Sequence, residues 1–148
     1  MPDSQIAKVP QIIPKLLEVC PEFQAQWNEH LKYWGDEARG DYIDIAEFAR
    51  FVVDCYANGR TQRFPQMFEA VEALLKHGHQ KVKKLMTIGL LEDIQTIATH
   101  HEFGPDVFLK WLGPISREAW FRISKAWEGK SSLMDVVREE NRSKGAED

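Results

Sequence analysis

Four of the five histidines fall in two close pairs, His77 with His79 and His100 with His101, and imidazole is the commonest protein ligand for a transition metal. Neither pair sits in an HExxH frame, and neither cysteine lies at finger-like spacing from them. The pairs therefore read as cations complementing the negative ends of helices, and no metal is expected. Glu92 and Asp93 follow the most apolar stretch of the chain. A carboxylate forced toward a core there would have a raised pKa and could serve as a general acid. The simpler expectation is that one faces solvent while the other pairs with a lysine or caps a neighbouring helix. Cys20 and Cys55 lack CxxC spacing and read as two small buried hydrophobes in a reducing compartment, with a disulfide between them geometrically open. Lys76, Lys81, Lys83 and Lys84 form a basic edge without interleaved aromatics, which suits a solvated helix better than a nucleic-acid groove. No GxSxG, P-loop or GxGxxG is present, so the chain is expected to be noncatalytic, with no catalytic residue and no cofactor.

The remaining cluster is acidic. Asp36, Glu37, Asp41, Asp44 and Glu47 occupy a turn and the first turns of the helix that follows, flanked by Trp34 and Tyr42. Their spacing does not match an EF-hand loop. Acids near a helix N-terminus are stabilised by its dipole, so capping could account for many of them. The alternative is a docking surface, in which carboxylates meet a basic partner and aromatics anchor it. On that reading the partner-binding residues are Trp34, Asp36, Glu37, Asp41, Tyr42, Asp44 and Glu47.

Helical periodicity dominates the elements that would hold these groups. A short helix around 10–19 precedes Pro21, which suits the opening of the next helix, where Phe23, Trp27, Leu31 and Trp34 form a stripe. Gly35 and Gly40 bracket the polar turn. Asp41 has the character of an N-cap for a long helix to Asn58, with Ile45, Phe48, Ala49, Val52 and Tyr56 inward and Asp44, Glu47 and Asp54 outward. Pro65 opens a further helix with Met67, Phe68, Val71, Leu74 and Leu75 inward and Glu69, Glu72 and Lys76 outward; Gly78 stops it. The segment 80–99 should be the central helix, since from Leu85 to Leu91 it is apolar on nearly all sides, with Gly89 marking a close crossing. Gly104-Pro105 and Gly113-Pro114 each predict a stop followed by a new helix. Among the five tryptophans, Trp27, Trp120 and Trp127 are expected in the core, with Trp34 and Trp111 partly exposed at helix ends. A weaker helix is expected over 133–142, with 143–148 frayed.

No segment alternates with period two, so no sheet is predicted. The fold class is all-α: a single domain over 1–148, core 10–129, forming an irregular bundle or short HEAT-like superhelix of about seven or eight helices. Hydrophobic residues make up 43% and charged residues 28%, a globular balance, and the net charge of −4 disfavours nonspecific nucleic-acid binding. Neither a membrane-length apolar run nor a signal-peptide pattern is present, so a cytoplasmic protein without membrane contact is expected.

Several runs carry a resemblance: Tyr33-Trp34-Gly35-Asp36-Glu37, Asp44-Ile45-Ala46-Glu47-Phe48-Ala49, Leu91-Glu92-Asp93-Ile94-Gln95, and Phe103-Gly104-Pro105 through Trp111-Leu112-Gly113-Pro114 to Trp120. Together they resemble a family of small bacterial helical proteins known only as a domain of unknown function, over roughly Pro21 to Gly129. The resemblance implies an all-helical bacterial cytosolic protein and carries over no catalytic residues. Proteins of this general kind are often immunity proteins, which neutralise a cognate toxin. The expected function is thus a noncatalytic protein-binding module of that kind, its partner a basic toxin domain. The other expectation is a helical scaffold or regulatory adaptor unrelated to toxins. A homodimer is compatible with a Trp-rich helical surface, and a metal-dependent hydrolase built on the histidines with Glu92 and Asp93 is the least favoured reading.

Overall fold

A computed structural model describes residues 6–128, and every regular element among them is helical. A 3-10 turn at Val9–Gln11 runs into α1 (Ile12–Val19), and a second at Pro21–Phe23 runs into α2 (Gln24–Trp34). Next come α3 (Asp41–Ala57) and α4 (Phe64–His77). The central helix has three parts: α5 (Gln80–Lys84), a π-helical stretch Leu85–Leu91, and α6 (Glu92–Ala98). A 3-10 helix, Pro105–Trp111, leads to the last described helix, α7, over 114–128. The helix expected over 133–142 and the fraying over 143–148 lie outside the described residues.

The apolar stripes become one core. Phe23, Ile45, Phe48, Val52, Phe68, Leu74, Met86, Leu90, Ile94 and Phe108 are sealed from solvent, and α3 packs along both Leu85–Leu91 and α6. Gly89 sits at that crossing. A Cβ there would lie 2.8 Å from Ile45 Cγ2 and 3.3 Å from a Tyr42 ring carbon, so any larger residue would push the two helices apart. The helix widens to π geometry over the same residues, and Thr87 Oγ1 donates to Lys83 O at 2.9 Å within it.

The two Gly-Pro corners turn out to work differently. Gly104 has φ 68°, the left-handed conformation expected, but the helix it opens is 3-10 rather than α. Gly113 has no positive φ; it is small because a carboxylate occupies the space its Cβ would take, 2.5 Å from Glu72 Cδ. Glu72, expected to face outward from α4, instead accepts from Ile115 N–H (3.0 Å), Ser116 N–H (2.8 Å) and Ser116 Oγ (2.8 Å). It caps α7 from another helix. Gln95 ties the same helix down, donating from Nε2 to Trp120 O at 2.9 Å in a buried setting.

The tryptophans divide differently from the expectation. Trp120 is buried, at 1% exposure. Trp111 is half-buried in an aromatic cluster, edge-on to Phe64 at 4.8 Å and parallel to Phe68 at 6.3 Å, with Lys110 Nζ over its ring. Trp127, expected in the core, is 44% exposed, because α7 has passed the core at Ile123 and its next turn faces outward. Trp27 and Leu31 are only half-buried, and the buried residue of α2 is His30.

Candidate functional site

The turn joining α2 to α3 spans residues 35–40 and places the acidic cluster at one end of the molecule. The N-cap of α3 is Gly40 rather than Asp41, which is the first helical residue, and no side chain caps this helix. Capping by hydrogen bonds therefore does not explain the acids. What they do instead splits them into two groups.

Asp44 and Glu47 are committed to the fold. Asp44 Oδ1 accepts from Arg39 Nε at 2.7 Å and lies 2.8 Å from His30 Nε2. An ionised carboxylate only accepts, so this contact assigns the proton to Nε2 of the histidine. Glu47 Oε2 accepts from Arg50 Nε (3.0 Å) and Nη2 (2.6 Å), while Gln26 Nε2 donates to Oε1 at 3.2 Å. His30 Nδ1 is 3.9 Å from Glu47 Oε2, and its ring stacks on Trp27 at 5.2 Å. The guanidinium of Arg39 also lies over Trp27, 5.7 Å from the ring centroid. A buried imidazole between two carboxylates, with an arginine from the turn, thus fixes the path of 35–40 against α2 and α3.

Asp36, Glu37 and Asp41 make no ion pair or side-chain hydrogen bond among the described residues, and all three are exposed. Beside them stand Tyr33, 84% exposed, Tyr42, 46% exposed, and Ile43. Trp34 is half-buried, packed edge-on to Tyr33 at 6.0 Å. Lys81 and Lys84 share a shallow 120 Å³ hollow with Asp41 and Tyr42, so this face carries some positive charge along one edge. Tyr33 and Ile43 were not singled out from the sequence. Their positions next to Trp34 and Tyr42 were the available signal.

The other candidates are dispersed or structural. His77, His79 and His100 are exposed, whereas His101 is half-buried and stacks on Phe103 at 4.8 Å. Among the described residues no group of three or more His, Cys, Asp or Glu side chains is arranged to hold a metal ion. Burial pushes the Asp93 carboxyl up from 3.8 to about 6; neighbouring Glu92 adds to this and Arg50 opposes it. Neither Glu92 nor Asp93 pairs with a lysine or caps a helix among the described residues, contrary to expectation. Burial also raises Glu72, but hydrogen bonds from Ile115, Ser116 N–H and Ser116 Oγ, with the charge of Lys76, outweigh it and hold that carboxyl below its ordinary value. Cys20 is buried and Cys55 half-buried; both are free thiols, and desolvation pushes Cys20 up to about 12 and Cys55 upward, which leaves little thiolate at neutral pH. No described helix is long and apolar enough to cross a membrane.

Comparison with curated proteins and with solved structures gave no match. A family model does match, over residues 13–128, from the start of α1 to the end of α7. That span holds the core, the acidic turn and both Gly-Pro corners: the chain belongs to DUF7674, a domain of unknown function.

Proposed function

We propose that this protein is a noncatalytic protein-binding module whose contact face is the exposed end made by Trp34, Asp36, Glu37, Asp41 and Tyr42, extended by Tyr33 and Ile43. Asp44 and Glu47 lie beneath that face as its support. The observation that carries the reading is a combination. Asp36 and Glu37 in the turn and Asp41 at the start of α3 serve no cap and no ion pair among the described residues, and exposed aromatics, Tyr33 at 84% and Tyr42 at 46%, flank them in the chain. Exposed aromatics flanked by unneutralised acids are what a basic protein partner recognises, the aromatics anchoring and the charges steering.

In its most specific form, the partner is a basic toxin whose active site this face covers, and the protein acts as the cognate immunity protein in the cytoplasm. A noncatalytic role fits the structural commitments of three half-buried acids, whereas the carboxylates of Glu92 and Asp93, also half-buried, make no hydrogen bond or ion pair among the described residues. Glu72, Asp44 and Glu47 are each held by two or more structural donors or cations. The test is to use the protein and an Asp36→Lys, Glu37→Lys, Asp41→Lys variant as paired baits, followed by calorimetry on any captured partner. One basic protein, retained by the first bait and lost by the second, supports the reading. Equal retention by both removes this face from consideration.

A second reading, an adaptor unrelated to toxins, is favoured by a different surface. Ile88 on the central helix and Trp127 on α7 border a groove of 330 Å³, also lined by Ala119, Ile123 and Ala126. With Ile88 at 46% and Trp127 at 44% exposure, the groove could seat an amphipathic helix. Binding lost on Ile88→Lys and retained in the triple acid variant would select this reading over the first.

A further inference from the structure

Between the C-terminal half of α3 and the start of α4 lies a cleft of 370 Å³, on a different part of the surface from the acidic face. Its floor is apolar: Phe51 and Val52 from α3, Phe64 and Met67 from α4, with the thiols of Cys20 and Cys55 between them. Its rim is ionic, formed by Arg60, Arg63 and Glu22. The volume is within the range of small-molecule sites, and a floor of sulfur and aromatic carbon beneath a few polar groups is the usual make-up of such a site.

The rim charges are not equivalent. Arg63 Nε donates to Glu22 Oε1 at 3.1 Å, so these two largely neutralise one another. Glu22 is ionised in that contact: its backbone amide and the hydrogen bond and charge of Arg63 hold it below its ordinary value. Arg60 forms no ion pair with a carboxylate among the described residues. The backbone aims it. Where α3 ends, Gly59 N–H returns to Tyr56 O at 3.1 Å and Arg60 N–H to Cys55 O at 2.8 Å, the paired closure of a Schellman turn. That closure fixes Arg60 beside Cys55 at the mouth of the cleft. Two guanidiniums against one carboxylate leave a single positive charge over an apolar floor.

We propose that this cleft is a binding site for a small amphiphilic monocarboxylate, its apolar body on Phe51, Met67 and the two cysteines and its carboxylate on Arg60. Size narrows the class further. A cleft of 370 Å³ lies at the small end of ligand sites, which suits a medium-chain fatty acid or an aryl-alkyl carboxylate. A monoanion matches the single uncompensated charge of Arg60, because Glu22 already engages Arg63. This site is independent of the protein-binding face.

Sodium decanoate, with about a dozen non-hydrogen atoms, is the direct probe, and decanol of the same length is its uncharged control. Calorimetry on the full chain should give saturable binding of decanoate in the tens of micromolar, about what so few atoms support, and decanol at least ~10-fold weaker. Arg60→Gln should weaken decanoate by ~10-fold or more, and Arg60→Lys should restore much of it, because the ammonium keeps the charge but not the fork. Both replacements are at an exposed side chain, so matching thermal melts will show that the fold is intact. Cys55 supplies a readout inside the cleft: decanoate should slow its labelling by a maleimide, and decanol should not. The proposal is overturned by absence of saturable decanoate binding up to about 1 mM, by equal binding of decanol, or by binding indifferent to Arg60→Gln.

Discussion

Carboxylates stand at the N-termini of both α3 and α7, and there they do opposite things. At the Gly113-Pro114 corner, Glu72 arrives from α4, 43 residues earlier in the chain, and takes both backbone donors of Ile115 and Ser116. At the start of α3 the acids are local: Asp41 and Asp44 sit on the helix's own first turn, with Asp36 and Glu37 in the preceding loop, yet none caps it. One end is closed by a single half-buried acid whose oxygens are taken by that helix. The other is left with Asp36, Glu37 and Asp41 facing solvent. Position near a helix N-terminus, which the dipole favours for any acid, therefore does not by itself say what that acid does. Its hydrogen bonds decide whether it is structural or available, and availability is what a partner can use.

Substitutions can break this contrast, and the corner should respond most. Glu72→Ala leaves two amide donors of α7 without their acceptor and should cost about 2 kcal/mol in urea denaturation. A loss below ~0.5 kcal/mol would mean the cap is replaceable by water. Asp44→Ala should come next, at about 1 kcal/mol, since it removes the acceptor shared by Arg39 and buried His30 in a partly solvated setting. The same variant should raise proteolytic nicking in the turn 35–40, which those contacts fix.

A smaller effect belongs to Asp93, which neither caps nor pairs. Its carboxyl holds its proton up to about pH 6 in the folded protein, against an ordinary value of 3.8. Between those two pH values the folded state binds more protons than the unfolded chain, so stability falls as pH rises across that window. Asp93→Asn should flatten the decline. An unchanged slope in the variant would assign the pH dependence to other groups. Smallest of all should be the stability change in the Asp36→Lys, Glu37→Lys, Asp41→Lys variant, on the order of 0.5 kcal/mol. These side chains make no hydrogen bond or ion pair among the described residues, and only Asp41 sits on the helix's first turn, where the dipole favours an acid.

The sequence made some of this legible and hid the rest for definite reasons. The inward faces of α3 and α4 follow from their 3.6-residue period, and Gly89 betrayed the helix crossing because a glycine in a wholly apolar helix has few other uses. Residues whose role depends on a distant partner could not be read this way. Glu72 has an ordinary outward position on α4 until α7 brings its N-terminus to it. His30 displaced Leu31 from the buried stripe of α2 because Asp44, on another helix, supplies a partner for the imidazole. Trp127 is apolar and correctly spaced, but period alone does not reveal where the core underneath a helix stops. The acidic site was visible as a cluster of residue types. Its division into committed and available members was not, since it depends on Arg39 folding back from the turn and His30 reaching across from α2.

The uncommitted acids and their neighbouring aromatics are proposed as a protein-binding face, and affinity for a captured partner is the measurement to make. Titration calorimetry should compare the protein, the Asp36→Lys, Glu37→Lys, Asp41→Lys variant and a Tyr33→Ala variant, all with matched thermal melts. A loss of at least ~10-fold in the triple variant and in Tyr33→Ala, with association of the parent protein weakening as salt rises, is the predicted result. Affinity unchanged in both variants would contradict it and would place the partner elsewhere on the molecule.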